Sequence, residues 1–295
     1  MNSENEKRIS FRKIRNVAWI EYVKWLCNSR NIVFFVLNIF IYDYVIKELL
    51  NAAQQMNEYI MILEPFIAIT NSELMIMVIP ATFIVLMSDY PKTDGNTMFY
   101  IQRAGKKNWM LGQFLFGLMS AFSYLIGIFF ISIVCVSEKA YAKNTWSNVI
   151  TQYTKKFPNK SLSKVPLLIN GRLYNNMTPL HAFFLTTTLI FLYLWVIEVL
   201  LMLGFSLGKR IVGMLIGFTI IGVGSSLCNI SNKMKWAFPS AHSIVWLHFD
   251  RVLKFQKFSI KYSYIYFTVL IFILSIISYI SIEHYDFAKI TDMED

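Results

Sequence analysis

The chain has 295 residues, 56% of them hydrophobic and only 16% charged, with a mean hydropathy of +0.47. Soluble domains carry about 25% charged residues, so the composition excludes an ordinary water-soluble domain and points to a membrane protein. The formal net charge of +10 fits lysines and arginines that meet anionic lipid, so membrane lipids and not nucleic acid are the expected partner.

Residues 1–30 read as a cytoplasmic N-terminal segment. Ile14, Val17, Ala18, Tyr22, Trp25 and Leu26 recur at helical spacing, with Arg12, Arg15, Glu21 and Lys24 between them. That pattern predicts a basic amphipathic elbow helix lying in the membrane interface. The segment is polar and basic, with no apolar core of a cleavable leader. A first span follows over about Asn31–Leu49, in which Asp43 and Lys47 are spaced to pair along the helix. Residues 50–70 contain no Lys or Arg, whereas residues 1–30 hold Lys7, Arg8, Arg12, Lys13, Arg15, Lys24 and Arg30. The positive-inside rule therefore places the N-terminus in the cytoplasm.

The second span, about Glu73–Ser88, carries Pro80, which a membrane helix tolerates as a kink. A cytoplasmic turn over residues 89–109 leads into a third span, about Asn108–Val136. Residues 137–180 are expected outside, although Lys139, Lys143, Lys155, Lys156, Lys160, Lys164 and Arg172 run against the charge rule there. The fourth span is about Pro179–Leu207. After Gly208-Lys209-Arg210 comes a fifth, about Ile211–Ile230, whose Gly213, Gly217, Gly222 and Gly224 permit close helix contact. A second outer segment, 231–262, reads as short helices around Trp236 and Trp246. The sixth span, about Tyr262–Ile282, precedes a cytoplasmic acidic tail, 284–295. The expected fold is all-α: a polytopic six-span domain over residues 31–283 of a plasma-membrane protein, with both termini cytoplasmic.

Enzymatic motifs are sparse. There is no G-x-x-x-x-G-K-[ST] phosphate loop and no H-E-x-x-H zinc helix. The three cysteines, Cys27, Cys135 and Cys228, lack C-x-x-C spacing, so no disulfide framework or metal site is expected. Gly222-Val-Gly-Ser-Ser226 has no G-x-S-x-G elbow and no histidine in a span to activate it. Pro239-Ser240-Ala241-His242, followed by His248 and Asp250, is similar to one element of membrane lipid phosphatases. No Arg-Pro dipeptide accompanies it, and His248 follows too soon for an intervening span. The phosphatase is a distant alternative, and no catalytic residue is expected. Glu198 stands out because it sits deep in the fourth apolar run, where a charged residue costs roughly 2.5–3.5 kcal/mol to insert. It either lines a pathway or dimer interface, or bonds locally to a Tyr or Ser of a neighbouring span.

One stretch carries a family likeness. A span ends in Ser88-Asp89-Tyr90-Pro91. Tyr100-Ile-Gln-Arg103-Ala-Gly105-Lys-Lys-Asn-Trp109 and Gly112-Gln113 then open the next. With Thr178-Pro179-Leu180 and the Gly208-Lys209-Arg210 turn, the chain resembles the permease subunits of type-2 ABC transporters, particularly those of low-GC Gram-positive bacteria. The resemblance implies a separate ABC ATPase subunit that binds ATP and Mg, with no cofactor in this chain, and a second copy or a related permease as partner. It implies a coupling helix in the 89–109 turn, here Met98, Phe99, Tyr100, Ile101 and Arg103, although these aromatics also suit an interfacial belt. It also implies a route along a permease–permease interface, with Glu198, Gly213 and Gly217 as candidate lining. The cargo would be a peptide, a lipid-linked molecule or another amphipathic substrate. A membrane-anchored sensor or assembly factor without transport is the alternative.

Overall fold

The computed structural model describes residues 9–93, 97–157, 168–230, 233–250 and 255–285, with only the backbone of Met98. Most of the expected acidic tail, Lys160 and Lys164 of the outer segment, and the start of the 89–109 helix at Gly95-Asn96 lie outside the described residues. The chain is about 80% helical, as its long apolar runs require, because a backbone in lipid must satisfy its own hydrogen bonds.

Helix α1 is Phe11–Leu26. Helices α2 (Ile32–Ile41) and α3 (Lys47–Met56) are joined by a π turn, Tyr42–Ile46, and Asn57 in the left-handed conformation (φ 53°) ends α3. Next come α4 (Glu64–Asn71) and α5 (Met75–Leu86), then α6 (Thr97–Ala104), α7 (Lys106–Val136) and α8 (Asn148–Lys156). The last five are α9 (Gly171–Tyr174), α10 (Pro179–Ser206), α11 (Arg210–Cys228), α12 (Pro239–Ser243) and α13 (Ile260–His284). Strands β1 (Ile60–Met61) and β2 (Ala140–Tyr141) pair in parallel, Ile60 opposite Ala140.

Among the described residues four helices, α7, α10, α11 and α13, are long and apolar enough to cross a membrane. Their bounds fall within about two residues of the expected third to sixth spans. The first two expected spans come out differently. The Asn31–Leu49 span is a 10-residue apolar helix continued through the π turn. The Glu73–Ser88 span is the 12-residue α5, only about 18 Å long against a hydrocarbon core of about 30 Å. It is joined to α4 with a bend of 83°, so the pair is a broken span or a re-entrant loop.

The first helix forms where expected, and one of its faces is covered by the bundle. Val17, Ala18 and Glu21 are buried along α7, and a Cβ at Gly112 of α7 would come within 2.7 Å of Val17. The Tyr22 and Ser123 hydroxyls are 2.6 Å apart. Part of the stripe expected to face lipid, Val17 and Ala18 above all, therefore packs on α7, while Leu26 of that stripe stays exposed together with Phe11, Trp19 and Val23.

Helix α10 is the hub, packing on α13, α11, α7, α4 and α5. Of its most apolar stretch 67% is buried, against 22–39% for the other three long helices. One end of the bundle gathers the α5–α6 loop, α6, the start of α11 and the end of α13. There Arg30 pairs with Asp89, Lys107 pairs with Glu283 at 2.7 Å, and the Lys106 ammonium donates to the Tyr285 carbonyl at 2.8 Å. The opposite end gathers β1–β2, α8, α9 and α12. It is closed by the buried Glu64 carboxylate, which accepts from the Ser147 amide (2.6 Å), the Ser147 hydroxyl (2.7 Å) and the Met61 amide (3.2 Å). Glu64→Ala would strand these donors in the interior. It should cost about 3 kcal/mol, measured by thermal unfolding in detergent, with Glu64→Gln losing less because one acceptor oxygen remains.

Candidate functional site

The α5–α6–α7 junction is built from local chemistry. Helix α6 stops at Gly105, whose φ of 84° is open to glycine at little cost. Its amide donates to the Ile101 carbonyl at 2.7 Å, and its own carbonyl accepts from the Trp109 amide of α7 at 3.0 Å. The turn thus joins two helices through one glycine whose amide closes α6 and whose carbonyl opens α7.

Within α6 the candidate residues divide between two faces. Ile101 and Ala104 are buried, as is Thr97. Phe99 is 64% exposed, and Arg103 is exposed beside it. Tyr100 is half-buried with the Lys24 ammonium 5.2 Å from its ring centre. The loop before α6 is clamped by Arg210, whose guanidinium donates to the Pro91 carbonyl and to Thr93 Oγ1 (3.4 Å). The result is a short helix seated on the bundle by Ile101, with an aromatic ring and a guanidinium turned outward.

Glu198 lies elsewhere. It is fully buried at the meeting of α10, α7 and the end of α5. Its Oε1 accepts from the Tyr90 hydroxyl, while its Oε2 has no partner. A Cβ at Gly117 would overlap the carboxyl, so α7 keeps a glycine where Glu198 must fit. Gln113, one turn earlier on α7, is also fully buried, and both polar atoms of its side chain lack partners. Unsatisfied groups of this kind are few in folded proteins and call for an explanation. A cavity of about 30 Å³, roughly one water, opens beside Tyr90 between Glu21, Lys24 and Phe116.

Gly213 and Gly217 are contact points within the chain. A Cβ on Gly204 of α10 would stand 2.7 Å from the Gly213 Cα, and one on Gly217 would stand 2.9 Å from Ile84. Glu198 could be singled out in the sequence by its place in an apolar run. Tyr90, Gly117 and Gln113 could not, because nothing local marks them as its neighbours.

At the opposite end the two histidines of the Pro239–His248 stretch are held in packing. His242 Nε2 donates to the Trp236 carbonyl (2.8 Å), which leaves Nδ1 to accept from Ser263 (2.8 Å), and the Tyr266 ring stacks on it at 4.1 Å. His248 lies between the carbonyls of Phe258 (3.1 Å) and His242 (3.3 Å). Burial is the main cause that lowers both, His242 from 6.5 to about 4. The unfolded chain thus binds protons at a pH where the folded one does not, and stability falls with pH across that window. The melting temperature should drop between pH 6.5 and 4, and His242→Gln should flatten that drop.

A separate groove of about 470 Å³ lies between α4, α7 and α10, lined by Phe66, Phe122, Phe129, Phe183 and Phe191. Compared with known proteins, the chain matches no family model, no curated protein and no solved structure.

Proposed function

We propose that this chain is the membrane-spanning permease subunit of an ATP-driven transporter of the type-2 ABC kind, energised by a separate ATPase subunit. The observation that carries this reading is α6: a short helix between the apolar helices α5 and α7, locked to the bundle on one face and presenting Phe99 and Arg103 on the other. A chain that draws on a P-loop ATPase without carrying the loop itself must do so by contact. Such a contact needs an ordered, partly apolar knob at the cytoplasmic end.

In this reading the α6 end is cytoplasmic and both termini lie on that side of the plasma membrane. Six passes then require the π-interrupted Ile32–Met56 rod and the bent α4–α5 pair each to cross. The outward face of α11, with Ile211, Leu215, Ile216 and Phe218 exposed, is what remains for a second permease or for lipid, while Gly213 and Gly217 serve the chain's own packing. The phenylalanine groove would suit the apolar part of an amphipathic cargo.

Two measurements test the reading. Purification of the tagged chain from its native membranes should bring down a protein with Walker A and ABC signature motifs, and recovery of the chain without one would favour the sensor or assembly alternative. A cysteine at Arg103 in a Cys-free background should react with an impermeant maleimide only after permeabilisation. Labelling in intact cells would invert the topology.

A further inference from the structure

We propose that the end of the bundle opposite α6 carries an anion site for a phosphate group, held in the cavity between α9, the end of α11, residues 233–250 and Lys257. The cavity measures about 410 Å³, within the usual range of small-ligand sites. Four cations, Arg172, Lys233, Lys235 and Lys257, line it against two carboxylates, Glu73 and Asp250. Among the described residues none of the four cations forms an ion pair. The Asn229 side chain lies against the Glu73 carboxylate, and its amide donates to it once turned so that the nitrogen faces the carboxylate oxygens. Arg172 and Lys235 are half-buried, a costly placement for a cation that lacks an anion.

The cations reach this cavity from three separate segments, so their convergence is a product of the fold and not of a basic run. Arg172 is placed firmly. Its amide donates to Asn170 Oδ1 (3.0 Å), its carbonyl accepts from Asn176 (2.7 Å), and its guanidinium lies 5.4 Å from the Trp246 ring centre. Trp246 is itself pinned by its indole N–H on the Asn71 carbonyl at 3.0 Å. Trp236, stacked on Phe258 at 4.0 Å, forms another rigid wall. Burial, together with the nearby charges of Lys257 and Arg172, holds the Lys235 ammonium below its ordinary value. An anion entering the cavity would offset the repulsion that Lys257 and Arg172 exert on Lys235. A guanidinium fork plus mobile ammonium groups is the donor set that suits phosphate oxygens, by charge-assisted and bidentate hydrogen bonds. The site lies at the end of α11, a helix long and apolar enough to cross a membrane, where headgroups and water would both reach it. The phosphate could therefore belong to a lipid headgroup or to a free phosphate compound.

This inference does not rest on α6 coupling, and it stands or falls whether or not an ATPase partner is found. The test is titration calorimetry of inorganic pyrophosphate into the full chain in phosphatidylcholine nanodiscs. Binding should weaken at least about tenfold in Arg172→Gln/Lys235→Gln and persist in the charge-keeping Lys235→Arg. If the double variant fails to fold, the exposed Lys257→Gln serves instead, with a loss of about threefold and a shallower salt dependence. Repeating the titration in nanodiscs doped with phosphatidic acid separates the sources. Suppressed binding assigns the site to a lipid headgroup, and unchanged binding assigns it to a free phosphate compound. No binding of pyrophosphate to the wild-type chain, or equal binding by wild type and charge-removed variants, overturns the proposal.

Discussion

Phe99→Asp should abolish stimulation of the ATPase subunit and its co-purification, while leaving insertion and melting temperature unchanged. The side chain is 64% exposed, so a carboxylate there remains solvated in the isolated chain and the fold has no reason to suffer. In a complex the same carboxylate would be covered by an apolar partner surface, with Arg103 one turn along α6 offsetting it only in part. That costs about 3 kcal/mol, or a weakening of binding of more than about a hundredfold. Ile101→Asp is the contrasting variant. Ile101 is buried beneath α6, so the charge should unseat the helix and lower thermal stability as well as coupling. Tyr100→Asp should fall between the two, because it removes the ring under the Lys24 ammonium and a partly exposed contact together. If Phe99→Asp keeps the ATPase subunit and its full activity, α6 is not the contact. The exposed side of α1, with Trp19 and Val23, then becomes the next surface to test.

The second large effect is expected at Gly117 and Glu198. Gly117→Ala puts a methyl group where the Glu198 carboxyl lies, and overpacking of this kind costs about 1–3 kcal/mol. Glu198→Ala removes the acceptor of the Tyr90 hydroxyl, leaving a buried donor at a cost of about 1–3 kcal/mol, with a cavity term added. The two changes should not add. Once the Glu198 side chain is gone the Gly117 methyl has room, so the double variant should be more stable than the sum of the singles predicts. Thermal unfolding of the four proteins in detergent closes this cycle, and strict additivity would show that the two residues do not meet. Glu198→Gln keeps an acceptor for Tyr90 and should fold normally. If transport is also normal in that variant, Glu198 is a packing device and not part of a pathway.

The long apolar runs settled by themselves where α7, α10, α11 and α13 begin and end. In lipid a polypeptide has little choice but to bond its own backbone, so hydrophobicity and length suffice to predict a helix. The Gly105 turn between α6 and α7 and the Asp43–Lys47 pair, now 2.8 Å long, were legible for the same local reason: each depends on residues within a few positions. What covers an apolar face was not legible, because lipid and a neighbouring helix are equally apolar. The stripe of α1 reads the same whether it meets bilayer or α7, and only packing put Val17 and Ala18 against α7. The 83° bend between α4 and α5 likewise follows from long-range fastenings. Asn71 donates to Thr186 of α10 at 3.1 Å and accepts from the Val245 amide at 3.0 Å. The partners of Glu198 and the grouping of Arg172 with Lys235 and Lys257 come from segments far apart in the chain. Only the fold, by bringing α5, α7 and α10 together at one place and α9 beside the end of α11 at another, makes either of them a candidate.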